Sequence, residues 1–331
     1  MRVLYAIQGT GNGHLSRARE VIPILKSKNI KLDILVSGVQ SDVDLPYDIK
    51  YKFQGLSFIF GKKGGVDLLK TYSNSNLKNL HKDIRNLPIE NYDLIINDFE
   101  PVSAWAAKNK KVTCVSFSHQ AAVLSKNAPK PRKPNFVGKQ ILKRYAPTEK
   151  QFGLHFKPYN NAIFTPVIRK EIREAETKNL GHYTVYLPAY DDKRILSILS
   201  LLPETKWQVF SKHNKKELIQ GNIHIRPINN EAFIHSLLTC KGLFCGGGFE
   251  APAEALFLKK KLMVIPMKGQ YEQQCNAKAL HKMGVPVIAS LKKKHLSKIK
   301  NWVTKNELIT VDFPDQTEVI IDKILTYAKN K

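Results

Sequence analysis

Twice in this chain a short, almost wholly apolar run breaks into a cluster of glycines and then into a helical stretch. The first is Val3-Leu4-Tyr5-Ala6-Ile7 followed by Gln8-Gly9-Thr10-Gly11-Asn12-Gly13-His14. The second is Gly242-Leu243-Phe244-Cys245 followed by Gly246-Gly247-Gly248-Phe249-Glu250. Apolar runs this short, bounded by turn residues, suit strands covered on both faces. Glycines placed directly after a strand let the chain turn sharply and present backbone N–H groups at the start of the next helix. Strand, glycine turn and helix make the repeating unit of a parallel α/β sheet, and two copies so far apart imply two sheets.

The rest of the chain fits that pattern. Further strands are predicted at 32–36, 94–97 and 112–117, with a short one in 162–167. A second series follows at 184–187, 207–210, 223–225, 242–245, 262–265 and 285–289. The clearest helix begins at His14, where Leu15, Ala18, Ile22 and Leu25 share one face, and Pro23 is expected to kink it. A terminal helix is predicted over 317–329. At 331 residues the chain exceeds one comfortable core. The expected division is an N-terminal domain over 1–160, a C-terminal domain over 161–315, and a closing helix over 316–331 that crosses back to the first domain. Between them, residues 126–150 are rich in proline and lysine and read as a non-strand segment.

Composition removes several classes of function. Hydrophobic residues at 43% with 24% charged describe a folded chain, and no apolar run approaches the ~18–20 residues of a membrane span. The start reads as a first buried strand and not as a leader. Four cysteines without CxxC spacing give no support to zinc or redox motifs and suit a reduced, cytoplasmic protein. The net charge of +25 suits anionic partners, either phosphorylated substrates or an anionic membrane surface, and is equally what a lysine-enriched composition gives without any partner. Most of the positive charge is lysine, without arginine forks or aromatic-interleaved basic motifs, so nucleic acid is not an expected partner.

The first glycine turn is not a dinucleotide site, because GxGxxG begun at Gly9 would need glycine where His14 stands. A Walker A loop ending at Gly61-Lys62 would need glycine at Leu56. His14 instead sits at a helix start beside Gly9, Gly11 and Gly13, at the strand edge where α/β ligands bind. Asp98 closes the strand at 94–97, and a histidine with a carboxylate at neighbouring strand ends makes an oriented base. His119, just past another strand, is a further candidate for the same cleft. The second glycine turn suits a diphosphate at the helix start, with Glu254 placed to accept hydrogen bonds from a ribose diol.

These residues resemble the GT-B glycosyltransferases, closest to the family 28 group and more distantly the UDP-glycosyltransferases. The likeness lies in 9–19 (GTGNGHLSRAR), in Asn97-Asp98-Phe99-Glu100-Pro101, and above all in 246–266 with the Glu272-Gln273 pair beyond it. It implies two Rossmann-like domains facing across a cleft. It also implies an inverting, metal-independent transfer of a sugar from a nucleotide donor, expected to be UDP-linked, to a hydroxyl acceptor. His14 would be the base and Asp98 its partner. Gly246, Gly247, Gly248 and Phe249 would form the diphosphate loop, Glu254 would hold the ribose, and Glu272 and Gln273 the sugar hydroxyls. Arg226 to Ile228 resembles the loop that reads the base. No cofactor or metal is implied.

Two features depart from the family's pattern. Gly246 and Ala251 stand where the plant enzymes have histidine and serine, and Leu187-Pro188-Ala189-Tyr190 replaces a glycine-rich turn. A sugar-nucleotide hydrolase, resembling the enzyme of pseudaminic acid synthesis, and a non-catalytic protein binding an anionic ligand or membrane are the alternative readings. Finally, Phe58, Phe60, Lys62 and Lys63, together with Arg132 and Lys133, pair apolar with basic residues in the acceptor half. They imply a lipid-linked or membrane-located acceptor and a peripheral position at the inner face of the membrane.

Overall fold

The structure, a computed structural model, describes residues 1–38, 45–55, 60–61, 65–66, 77–132 and 135–331. The first sheet has seven strands in the order Tyr51–Phe53, Lys31–Ser37, Arg2–Gln8, Leu94–Asp98, Cys114–Ser118, Lys150–Leu154 and Ile163–Phe164, all parallel. Strand Arg2–Gln8 is apolar throughout because it is buried on both faces. Val3, Tyr5 and Ile7 enter one core, while Leu4 and Ala6 enter another. The second sheet runs Leu218–Gln220, Ile223–Pro227, Lys206–Ser211, His182–Tyr186, Gly242–Gly246 and Lys261–Ile265, antiparallel only at its first pair.

In both sheets the strand order reverses beside the first strand of the domain. In the first sheet the reversal lies between Arg2–Gln8 and Leu94–Asp98, with Ile7 opposite Asp98. In the second it lies between His182–Tyr186 and Gly242–Gly246. Loops part at such a switch point and leave a crevice beyond the strand ends. Both glycine turns and Asp98 therefore lie at crevices by topology alone.

Several expected boundaries move. Strand Ile163–Phe164 pairs with Lys150–Leu154, so the first domain extends past residue 160, and the second sheet opens only at His182. Residues 285–289 form no strand; a single bridge joins Val287 to Val264. Within 126–150 lies a helix, Phe136–Tyr145, and Lys150 opens a strand. Helix Asn12–Ser27 runs unbroken through Pro23, whose ring lies on the exposed face where a lost N–H leaves only solvent-side groups unpaired. The last helix, Thr317–Lys329, packs on the first domain. Its Ile320, Ile321 and Ile324 share a core with Ile22 and Leu25, and Glu318 and Asp322 take Lys28 at 2.7 and 2.8 Å.

Candidate active site

A cavity of about 730 Å³ separates the two sheets, walled by Thr10 to His14 and Gln120 on one side and by Gly248 to Ala251, Glu254 and Glu272 on the other. His14 is in the first turn of helix Asn12–Ser27, and its Nδ1 lies 2.8 Å from Asp98 Oδ1. Nδ1 also lies 3.0 Å from Arg17 NH2, but the shorter contact is to a carboxylate that can only accept while ionised, which favours the proton on Nδ1 and leaves Nε2 as the basic nitrogen. Asp98 is fully buried. The next residue, Phe99, sits at φ 58°, a left-handed backbone that a bulky side chain seldom adopts. Its ring stacks on Tyr145 at 4.6 Å and lies nearly parallel to the His14 ring.

Asp98 has a second partner. Arg17, one turn beyond His14 on the same helix, donates from Nε to Oδ2 at 2.9 Å and from NH2 to Oδ1 at 2.7 Å. Burial alone pushes the Asp98 carboxyl up, but the charges of Arg17 and His14 outweigh it and hold the pKa below the usual value. The third limb of the guanidinium, NH1, reaches Glu250 in the second domain. That carboxylate lies against Gly13 so closely that a Cβ there would collide with it. Arg17 thus joins the His14–Asp98 pair to the start of the second glycine-turn helix, Glu250–Phe257.

The donor-side residues divide. Gly248, Phe249, Glu254, Glu272, Gln273 and Ile228 line the cavity, as do Gly11 and Gly13. Glu254 does not stand free: Arg169 donates to its two oxygens at 2.6 and 2.8 Å. Gln273 uses its carbonyl oxygen to receive the N–H of Gly247 at 3.2 Å and of Met267 at 2.9 Å. It therefore braces the glycine turn, and the Gly247 N–H expected to meet a ligand is already taken. Gly246 and Gly247 lie behind the cavity wall. Arg226 also falls outside the wall, half-buried near the end of the strand Ile223–Pro227 with its Nε on Glu217 at 3.0 Å. Gly9 lies behind it too, its N–H bound to Ser37 O at 2.6 Å.

His119 borders the cavity with both ring nitrogens engaged, Nδ1 with Leu154 O at 2.7 Å and Nε2 with Asn276 Oδ1 at 2.6 Å. Its ring stacks on Phe249 at 3.8 Å. The contacts to Asn276 and Phe249 tie the domains together and leave no ring nitrogen open to a substrate, which corrects its expected catalytic part. On the acceptor side, Phe58, Lys62, Lys63 and Lys133 lie outside the described residues. Phe60 opens the two-residue strand Phe60–Gly61, and Arg132 is exposed.

Arg17, Glu250, Arg169 and Gln120 escaped the sequence reading as site residues. The only signal was Arg17, which falls on the same helix face as His14 opposite a strand-end acid.

Over residues 1–306 the sequence matches the family described as glycosyl transferase family 1. No curated protein sequence matches the chain. Among solved structures, the S. aureus MnaA–UDP co-structure matches with a TM-score of 0.66 at 10% identity, covering 99% of this chain and 97% of that one. Acinetobacter baumannii MurG gives 0.58 at 14% identity, covering 98% of this chain and 99% of that one. Phytolacca americana UGT2, complexed with UDP-2fluoro-glucose and pterostilbene, gives 0.59 at 13%, covering 99% and 94%. At such identities the likeness is one of fold, and that fold is GT-B.

Proposed function

The chain belongs to glycosyl transferase family 1, and we propose that it is an inverting, metal-independent enzyme moving a sugar from a UDP-linked donor to a hydroxyl acceptor. One observation carries the reading. His14, oriented by Asp98 at 2.8 Å, lines the same cavity as Glu254, Glu272 and the start of a glycine-turn helix. A base on one wall and an anion-binding helix start on the other suit an in-line displacement at an anomeric carbon. The UDP complexes of MnaA and UGT2 support the choice of donor.

His14 Nε2 takes the acceptor's proton as its oxygen attacks the anomeric carbon. The bond from that carbon to the diphosphate breaks on the opposite face, and its electron pair leaves with the diphosphate. Asp98 stabilises the imidazolium. Two fixed charges bear on the departing anion, the helix start at Glu250–Phe257 and the guanidinium of Arg169 in the cavity wall. Glu254, held in place by Arg169, receives the ribose diol through its remaining lone pairs.

The test is a panel of nucleotide sugars with and without hydroxyl acceptors, following nucleotide release and the anomeric form of the product. We expect release that depends on the acceptor, with inversion. Release at the same rate without acceptor would make the protein a hydrolase, and no release from any donor would sink the reading. Glu254→Gln should weaken UDP binding by about 1–3 kcal/mol, the scale of a charge-assisted hydrogen bond, and calorimetry measures it.

We further propose that the acceptor is lipid-linked or membrane-located. Among the described residues no helix is long and apolar enough to cross a membrane, so contact would be peripheral. Helix Phe136–Tyr145 supports this. Phe136 and Val137 are 73% and 63% exposed, Lys139, Lys143 and Arg144 accompany them, and Gly138, Ile141 and Leu142 line the cavity. Each basic residue near an anionic bilayer gains about 1 kcal/mol, which salt screens. Sedimentation with anionic vesicles is expected at low salt and not at high salt; equal behaviour with neutral vesicles would point to a soluble acceptor.

A further inference from the structure

One atom in the cavity wall needs a partner that the protein does not supply. Gln120, on helix His119–Leu124, is 5% exposed. Its amide nitrogen donates to Glu272 Oε2 at 3.1 Å and lies 3.4 Å from His14 Nε2. These two contacts fix the amide's orientation, since a flip would set its oxygen against a carboxylate. Gln120 Oε1 consequently turns away from Glu272, is buried, and has no hydrogen-bond partner among the described residues. A buried acceptor left unpaired asks for an explanation, and a ligand that arrives with a donor is one. Gln270, on the same cavity, also presents a buried oxygen without a partner. What enters here meets carbonyl and carboxylate oxygens, so it must bring hydrogen-bond donors, and for a transferase with a hydroxyl acceptor those are O–H groups.

We propose that Gln120 Oε1 receives a second hydroxyl of the acceptor, next to the one that His14 deprotonates, so that the acceptor is a polyol or sugar with neighbouring hydroxyls. The inference rests on the transferase reading and on His14 as base. The nitrogen and oxygen of one amide share a carbon, so a group bound at Oε1 stands beside the position served by His14 Nε2. The oxygen faces away from Glu272, which belongs to the donor sugar. Gln120 therefore positions the acceptor through its oxygen, while its nitrogen braces Glu272.

The experiment uses the full chain with UDP-sugars as donors, and methyl hexopyranosides with their monodeoxy analogues as acceptors. The wild type is expected to prefer a parent glycoside over the analogue lacking the neighbouring hydroxyl by roughly 10²-fold or more in kcat/KM, because a site built for a hydroxyl rejects its absence. In Gln120→Leu that preference should vanish: loss of the contact to Glu272 falls equally on parent and analogue, while the rise in acceptor KM from the missing oxygen falls on the parent alone. Thermal melting of the variant confirms that it folds. The proposal is overturned if Gln120→Leu discriminates between parent and analogue as the wild type does, whatever its donor KM. It is overturned equally if simple alcohols such as cyclohexanol react as well as the glycosides. A wild type that transfers to no alcohol removes the transferase reading itself, and this proposal with it.

Discussion

His14→Ala is expected to lower kcat by about 10²–10⁴-fold, the contribution of a positioned general base, with donor affinity nearly unchanged. The ring's Nδ1 is committed to Asp98 at 2.8 Å, so only Nε2 can take a proton from a substrate. Asp98→Asn should also be severely impaired, because an amide no longer stabilises the imidazolium or enforces the tautomer. Steady-state turnover with calorimetric UDP binding separates chemistry from donor affinity. If His14→Ala kept wild-type turnover while His119→Ala abolished it, the base would have to be His119 despite its two occupied nitrogens.

The second large effect falls on stability. Arg17→Ala removes a guanidinium that is 2% exposed and leaves the fully buried Asp98 without its main counter-charge. Breaking a buried pair from one side costs about 3–5 kcal/mol, and the Arg17→Ala/Asp98→Asn double variant should recover part of it. The pH dependence gives a sharper test. In the wild type the folded Asp98 has a lowered pKa, so its contribution to stability is full above the unfolded value of about 3.9 and is lost as pH falls through the folded value. Without Arg17, burial dominates and raises that pKa, and the ionised carboxylate then destabilises the fold as pH rises. The gap in melting temperature between wild type and variant should therefore be widest near neutrality, narrow toward pH about 4, and close only as pH falls through the lowered folded value. A gap that is constant across that range would show that Arg17 acts through packing alone.

The sheets were legible because their strands are short, apolar and followed by glycine turns, and the His14–Asp98 pair was legible because both residues end neighbouring strands. Strand Ile163–Phe164 lies past the boundary expected at 160 because a strand of two residues carries no sign of which sheet it joins. Residues 285–289 have the composition of a strand, yet only Val287 finds a bridge. The rest of the site escaped for one physical reason: it is made by side chains that meet across the cleft. Arg17 and Glu250 are 233 positions apart, and Arg169 and Glu254 are 85 apart. Neither pair leaves a local pattern. Gln273 also has a part that no local pattern shows: its amide oxygen goes to the backbone of Gly247 and Met267.

The placement of the last helix bears on how this molecule can move. The chain leaves the first sheet after Phe164 and enters the second at His182, then returns between Thr304 and Thr317 to pack its final helix on the first domain. Bodies joined by one strand of chain can swivel freely about it. Joined by two, they keep mainly one motion, a rocking about the line through both crossings. The Arg17–Glu250 and His119–Asn276 contacts span the gap between the same two bodies. A single hinge angle then sets both contacts at once. Entry of substrate and alignment of His14 become two readings of one mechanical coordinate.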